Sequence, residues 1–187
     1  NGSIHNAGAL KRTLESAGHK FSSETDTEVL AHLVEELYDG SLEDAVIEAL
    51  RKVEGTYGIA VVSSKEPQQI VAARHGSPLL VGVGDGEYFV ASDVAAILQH
   101  TRDVVYLDDG DVAVLDEKGY RLCDLNAEVV HKKSTRIEWD LDEIEKGGHP
   151  HFMIKEIMEQ PTSIENTMRG RVVVEHGETK LGGINLS

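Results

Sequence analysis

The chain has 187 residues, 40% of them hydrophobic and 27% charged, the balance of a globular domain rather than a disordered segment. Its 33 acidic and 18 basic side chains leave a formal net charge of −15, which argues against a general affinity for nucleic acid, and no apolar run approaches the ~18 residues a membrane helix needs. A single cysteine, Cys123, excludes an internal disulfide and a zinc site of several thiolates, a usage that fits a reducing cytoplasm.

Residues 6–17 read as a helix, with Leu10, Leu14 and Ala17 at helical spacing and Gly18 as its stop. A second helix opens at Thr25-Asp26-Thr27-Glu28, where Thr25 caps and Glu28 reaches back. Val29, Leu30, Leu33, Val34 and Leu37 supply its apolar stripe and Gly40 ends it. Ser41, with Asp44 three residues on, starts a third helix whose apolar face is Leu42, Ala45, Val46, Ala49 and Leu50. After Gly55 the period changes. Residues 57–62 form a nearly continuous apolar run, suited to a strand buried on both faces. Further strands are expected at 69–73, 79–83, 88–91, 104–107, 112–115 and 120–123, and a weak one at 127–130. Ser92 is placed to cap a short helix through Leu98. Residues 138–145 read as a solvated acidic loop, and 151–168 as a helix that Pro161 breaks or kinks. Helices, then a block of antiparallel-type strands, then a helix favour an α+β fold over a doubly wound parallel sheet. The polar start Asn1-Gly2-Ser3-Ile4-His5-Asn6 and the linker-like end at 182–187 both read as cuts through a longer protein.

Few residues offer chemistry. The Asn1 amide beside the Gly2 N–H offers two donors that converge on an oxyanion, and Gly leaves the approach open. The same dipeptide is also a favoured hairpin turn. In Ser23-Glu24-Thr25-Asp26-Thr27-Glu28, carboxylates and hydroxyls at a helix start suit an ammonium group, or simple capping. Gly82-Val83-Gly84 lacks the third glycine of a dinucleotide loop, since position 87 is Glu, and a strand follows. His149-Pro150-His151 is the one close histidine pair, and no third ligand is evident. His5, His19, His32, His75, His100, His131 and His176 look scattered, so no metal and no cofactor is expected. Cys123 lies in a strand with only Arg121 to activate it, and no Gly-x-Ser-x-Gly elbow occurs.

Taken together, these segments resemble one family. The first six residues are similar to the Asn-Gly-Ile-Ile-Glu-Asn segment of the glutamine–fructose-6-phosphate aminotransferases (glucosamine-6-phosphate synthases). Ser23 to Val29 resembles that family's Ser-Glu-Thr-Asp-Thr-Glu-Val motif. Gly55-Thr56-Tyr57-Gly58, Gly76-Ser77-Pro78-Leu79 and Gly86-Glu87-Tyr88-Phe89-Val90-Ala91-Ser92-Asp93 follow in family order. So does His151-Phe152-Met153-Ile154-Lys155-Glu156-Ile157-Met158-Glu159-Gln160-Pro161.

The resemblance implies an N-terminal-nucleophile fold: a four-layer αββα sandwich of antiparallel sheets, here incomplete at the N-terminus. It implies the later portion of a glutaminase domain over residues 1–147 and a connector towards a sugar-phosphate isomerase domain over 148–187. Asn1 and Gly2 become the oxyanion hole, and Asp26 the anchor of the glutamine α-ammonium. The implied partners are glutamine, fructose 6-phosphate through the missing domain, and further copies of the chain in a homo-oligomer. No nucleic acid and no membrane is implied, and the expected location is cytoplasmic. The chain departs from the family in lacking the terminal Cys nucleophile and the Arg-Trp segment before it. Ser3 and His5 stand where Ile and Glu are usual. The 187 residues alone are therefore expected not to hydrolyse glutamine. Two other readings are a truncated binding or assembly module and a different amidotransferase of the same type.

Overall fold

The computed structural model describes residues 2–138, 148–168, 172–173 and 178–179. Asn1, most of the acidic stretch expected at 138–145, and the linker-like end at 182–187 lie outside the described residues. The chain divides into two compact units, Asn1–Glu138 and Trp139–Ser187.

Three helices open the first unit: α1 (Ala7–Ser16), α2 (Thr27–Leu37) and α3 (Leu42–Arg51). The Ser41 hydroxyl accepts the Asp44 N–H at 3.2 Å, the cap its spacing predicts. α2 departs from expectation. Asp26, not Thr25, is its N-cap residue and makes no side-chain cap, while the Thr25 hydroxyl accepts the first helical N–H, that of Thr27, at 3.4 Å. Glu28 does reach back, but past Thr25, to the N–H and hydroxyl groups of Ser22 and Ser23 at 2.5–2.8 Å. These donors stabilise the charged carboxylate, with the Ser23 hydroxyl foremost, and bring its pKa down to about 2. The apolar stripes lie where the helical period puts them: Val29, Leu30, Leu33 and Val34 on α2, and Leu42, Ala45, Val46, Ala49 and Leu50 on α3, are all buried.

The strands form two antiparallel sheets. β1 (Gly2–Ile4), β2 (Gly55–Ser63), β3 (Glu66–His75), β7 (Val112–Asp116) and β8 (Gly119–Cys123) pair in the order β1-β2-β3-β7-β8. β4 (Leu80–Val83), β5 (Tyr88–Ala91), β6 (Asp103–Tyr106) and β9 (Thr135–Arg136) pair as β5-β4-β6-β9. One core lies between the helices and the larger sheet, with Val71, Ala73, Val112 and Val114 beneath Leu33, Val46 and Leu50. A second lies between the sheets, where Ala72, Ala113 and Leu122 meet Val81, Val105 and Leu107. Each fully buried Val or Leu contributes about 1.5–3 kcal/mol, so these two seams hold the layers together. The outer face of the smaller sheet carries a one-turn 3₁₀ helix, Val94–Ala96, capped by the Asp93 carboxylate rather than by Ser92. Helix, sheet, sheet and this thin outer layer give the αββα order and the α+β class.

Three strand expectations change. Residues 2–4 are a strand, not a turn, because β2 offers them an edge. Residues 127–130 reach only a single bridge, Cys123 to Val129. Residues 59–62 of the expected run 57–62 are covered on one face alone, with Val62 71% exposed.

In the second unit α4 (Phe152–Met168) runs through Pro161, and β10 (Val172–Val173) pairs antiparallel with β11 (Glu178–Thr179). Among the described residues no helix is long and apolar enough to cross a membrane.

Candidate active site around Gly2 and Asp26

β1 is short, and side chains far away in sequence fix it in place. The Asn6 amide spans to the end of α3, donating to the Lys52 carbonyl at 2.8 Å and accepting the Glu54 N–H at 3.0 Å. His5 N–H donates to the Glu54 carbonyl at 2.7 Å, so the chain leaves β1 in a set direction. Gly2 then lies opposite Tyr57 at φ +137°, and a Cβ there would sit 2.0 Å from the Thr56 carbonyl oxygen. Only glycine permits that approach.

Asp26 is the other half of the site. It is half-buried, and its Oδ2 accepts the Ile4 N–H at 2.7 Å across 22 residues. The Thr27 hydroxyl donates to Oδ1 at 3.4 Å. A carboxylate has about four acceptor positions, so these two bonds leave capacity for a cationic ligand. The Asp26 side chain does not cap α2, the alternative the sequence left open.

Behind β1, the sequence motifs converge without having been given roles. Ser3 N–H donates to the Thr56 hydroxyl at 3.3 Å. Gly76, at φ +70°, approaches the same Thr56 side chain, and Tyr57 bridges to Gly76. The Gly76 N–H and Arg74 Nη2 both donate to Asp109 Oδ1 at 2.9 Å. The Gly76 N–H, with Arg74 beside it, holds the Asp109 carboxyl below the usual carboxylate range. Burial, and then the Asp109 charge, push the Tyr57 phenol up. Arg74 and Asp109 carried no motif signal. Their tie depends on β3 and the loop before β7 meeting in space.

Cys123 is closed to chemistry. Its side chain is buried, burial and the neighbouring Glu43 carboxylate raise its thiol to about 11, and Arg121 is engaged by Glu43. Among the described residues, one group of three metal-ligand types converges, and it does not include the close pair His149 and His151. It is His19, His32 and Glu35, whose histidines the sequence left scattered.

This layered pair of antiparallel sheets, with a glycine-led edge strand tied to a helix-start aspartate, is the glutamine amidotransferase form of the N-terminal-nucleophile fold. The glutamine phosphoribosylpyrophosphate amidotransferase from B. subtilis, complexed with ADP and GMP, superposes with a TM-score of 0.60 and 26% identity, over 69% of this chain and 29% of that one. Residues 1–99 match the model of the glutamine amidotransferase domain family, and the chain belongs to that family. It is similar to the glutamine–fructose-6-phosphate aminotransferase (isomerizing) of Chlorobaculum tepidum, 51% identical over 99% of this chain and 31% of the relative. The enzyme of that name from Thermus thermophilus is 50% identical over 97% of this chain and 30% of the relative. The chain thus spans about a third of the length of these curated relatives.

Proposed function

We propose that these residues are the later part of a glutaminase domain in an enzyme that makes glucosamine 6-phosphate and glutamate from fructose 6-phosphate and glutamine. The observation that carries this reading is the Asp26–Ile4 bond, which joins the two motifs expected to act on one substrate. In this reading Asp26 holds the glutamine α-ammonium with the acceptor capacity that Ile4 and Thr27 leave. The Gly2 N–H and the Asn1 amide stabilise the oxyanion as the amide carbon becomes tetrahedral. The nucleophile lies upstream of Asn1, and Cys123 takes no part. Residues 148–187 lead towards the part that binds fructose 6-phosphate. The complete enzyme works as a homo-oligomer in the cytoplasm. Identity near 50% across almost the whole chain supports the choice of this enzyme over others with the same domain.

The test is steady-state kinetics on the full-length protein. Asp26→Ala should raise the KM for glutamine roughly 10–100-fold, the loss of one charged hydrogen bond. Synthesis driven by free ammonia should be unchanged. Asn1→Ala should lower the glutaminase kcat by roughly 10²–10³ with a small change in KM. An unchanged KM in Asp26→Ala would refute the assignment of that residue. A full-length protein that forms no amino sugar from glutamine and fructose 6-phosphate would refute the enzyme.

A further inference from the structure

Between α1 and α2 three potential ligand atoms converge. His19 Nδ1 and His32 Nδ1 lie 3.1 Å apart, and Glu35 Oε2 is 3.5 Å from each. His32 and Glu35 share one face of α2, three residues apart, and His19 comes from the segment that follows α1. Zinc bonds of about 2.0–2.1 Å at tetrahedral angles put neighbouring ligand atoms about 3.3–3.4 Å apart. The observed triangle is close to one face of that tetrahedron. A second observation concerns the far side of each ring. His19 Nε2 lies 3.0 Å from Glu36 Oε2, and His32 Nε2 lies 3.6 Å from Glu28 Oε1. The Glu36 carboxylate accepts and does not donate, so it places the His19 ring proton on Nε2 and leaves His19 Nδ1 as a lone pair, whereas Glu28, at 3.6 Å, lies beyond hydrogen-bond reach of His32 and fixes no tautomer there. Metal-binding histidines are held as His19 is, with the second nitrogen donated to a carboxylate. Glu28 is itself fixed by Ser22 and Ser23. Both imidazoles are largely buried, and Glu35 is exposed.

We propose that His19, His32 and Glu35 form a binding site for a divalent transition-metal ion of zinc type, with the fourth position open to water. Two imidazoles and one carboxylate suit zinc or cobalt better than calcium or magnesium, which prefer oxygen alone. The ion pins the segment between α1 and α2 to the flank of α2. That segment ends at Asp26, so the metal steadies the approach to the candidate active site without touching it.

The experiment uses the full-length protein, stripped with a chelator and titrated with Zn²⁺ in a calorimeter and with Co²⁺ by absorption. One equivalent should bind, Co²⁺ should give the intense visible bands of a tetrahedral site, and Zn²⁺ should raise the melting temperature. Glu35→Gln, at an exposed position, should weaken Zn²⁺ at least tenfold. Glu36→Gln, which removes only the carboxylate behind His19, should weaken it about 10–100-fold. His19→Ala with His32→Ala should abolish it, and unchanged circular dichroism in the two Gln variants guards against unfolding as the cause. Absence of binding would mean that the three groups share a proton rather than a metal, and would overturn the proposal. Binding of equal strength in Glu35→Gln and in the double histidine variant would overturn it too, by placing the ion elsewhere.

Discussion

β2 and β3 lie side by side, paired antiparallel from Gly58 opposite Arg74 to Val62 opposite Ile70, and both are apolar where Ile59 to Val62 face Ile70 to Ala73. Their burial differs. On β3, Val71, Ala72 and Ala73 are at most 1% exposed, because the helices cover one face and the smaller sheet the other. On β2, Ile59 and Val61 pack under the helices, but Ala60 and Val62 face solvent, although their register partners Ala72 and Ile70 belong to the core between the sheets. The smaller sheet covers β3 and not its neighbour. Burial on both faces is therefore a property of what lies opposite a strand, not of the strand's own composition.

The sharpest way to break this comparison is to put one charge on each strand of the 187-residue chain. Val71→Asp should cost about 3–5 kcal/mol, since the carboxylate has no partner between helix and sheet. Val62→Asp should change stability by no more than about 0.5 kcal/mol. Denaturant midpoints measure both. If Val62→Asp is costly in a longer form of the protein, something covers the open face of β2 there. Gly2→Ala probes the strand beyond β2. Its positive φ and the 2.0 Å approach to Thr56 should cost about 1–3 kcal/mol, with faster hydrogen exchange at the Ile4 amide as the local sign. Ser41→Ala tests the layer that covers both strands, and loss of the Asp44 cap should lower stability by about 1 kcal/mol.

The smallest effect is a pH dependence at the end of β3. The Asp109 carboxyl is held below its ordinary value of 3.8 by the Gly76 N–H and Arg74. A lowered folded pKa means a contribution that is complete above that ordinary value and is lost as the pH falls below it. Asp109→Asn should therefore flatten the acid limb of the stability profile below about pH 3.8 and leave its slope near neutrality unchanged. A steeper acid limb in the variant would show that the sign is wrong.

The helices were the most legible part. Their apolar stripes and the Ser41 cap depend on neighbours three and four residues apart, which the chain itself supplies. The strands were legible in place but not in depth, as the run at 57–62 shows. The candidate site was legible only through resemblance. Asn-Gly alone reads as a turn, and Ser-Glu-Thr-Asp-Thr-Glu alone reads as a cap. Arg74 and Asp109, 35 residues apart, gave no signal, because their contact exists only once β3 and the loop before β7 are neighbours. The same holds for His19 and His32, 13 residues apart and treated as unrelated until the turn after α1 laid one ring against the other.

The sequence by itself determined the α+β order, the helix faces, most of the strand positions and the family. Local spacing controls the first three, and motif order carries the last. Only the tertiary structure decided that residues 2–4 are an edge strand, that Asp26 bonds β1 instead of capping α2, and that Val62 is open while Val71 is sealed. Each of these depends on a partner brought near by folding, and burial and long-range hydrogen bonds have no period in the chain from which to be read.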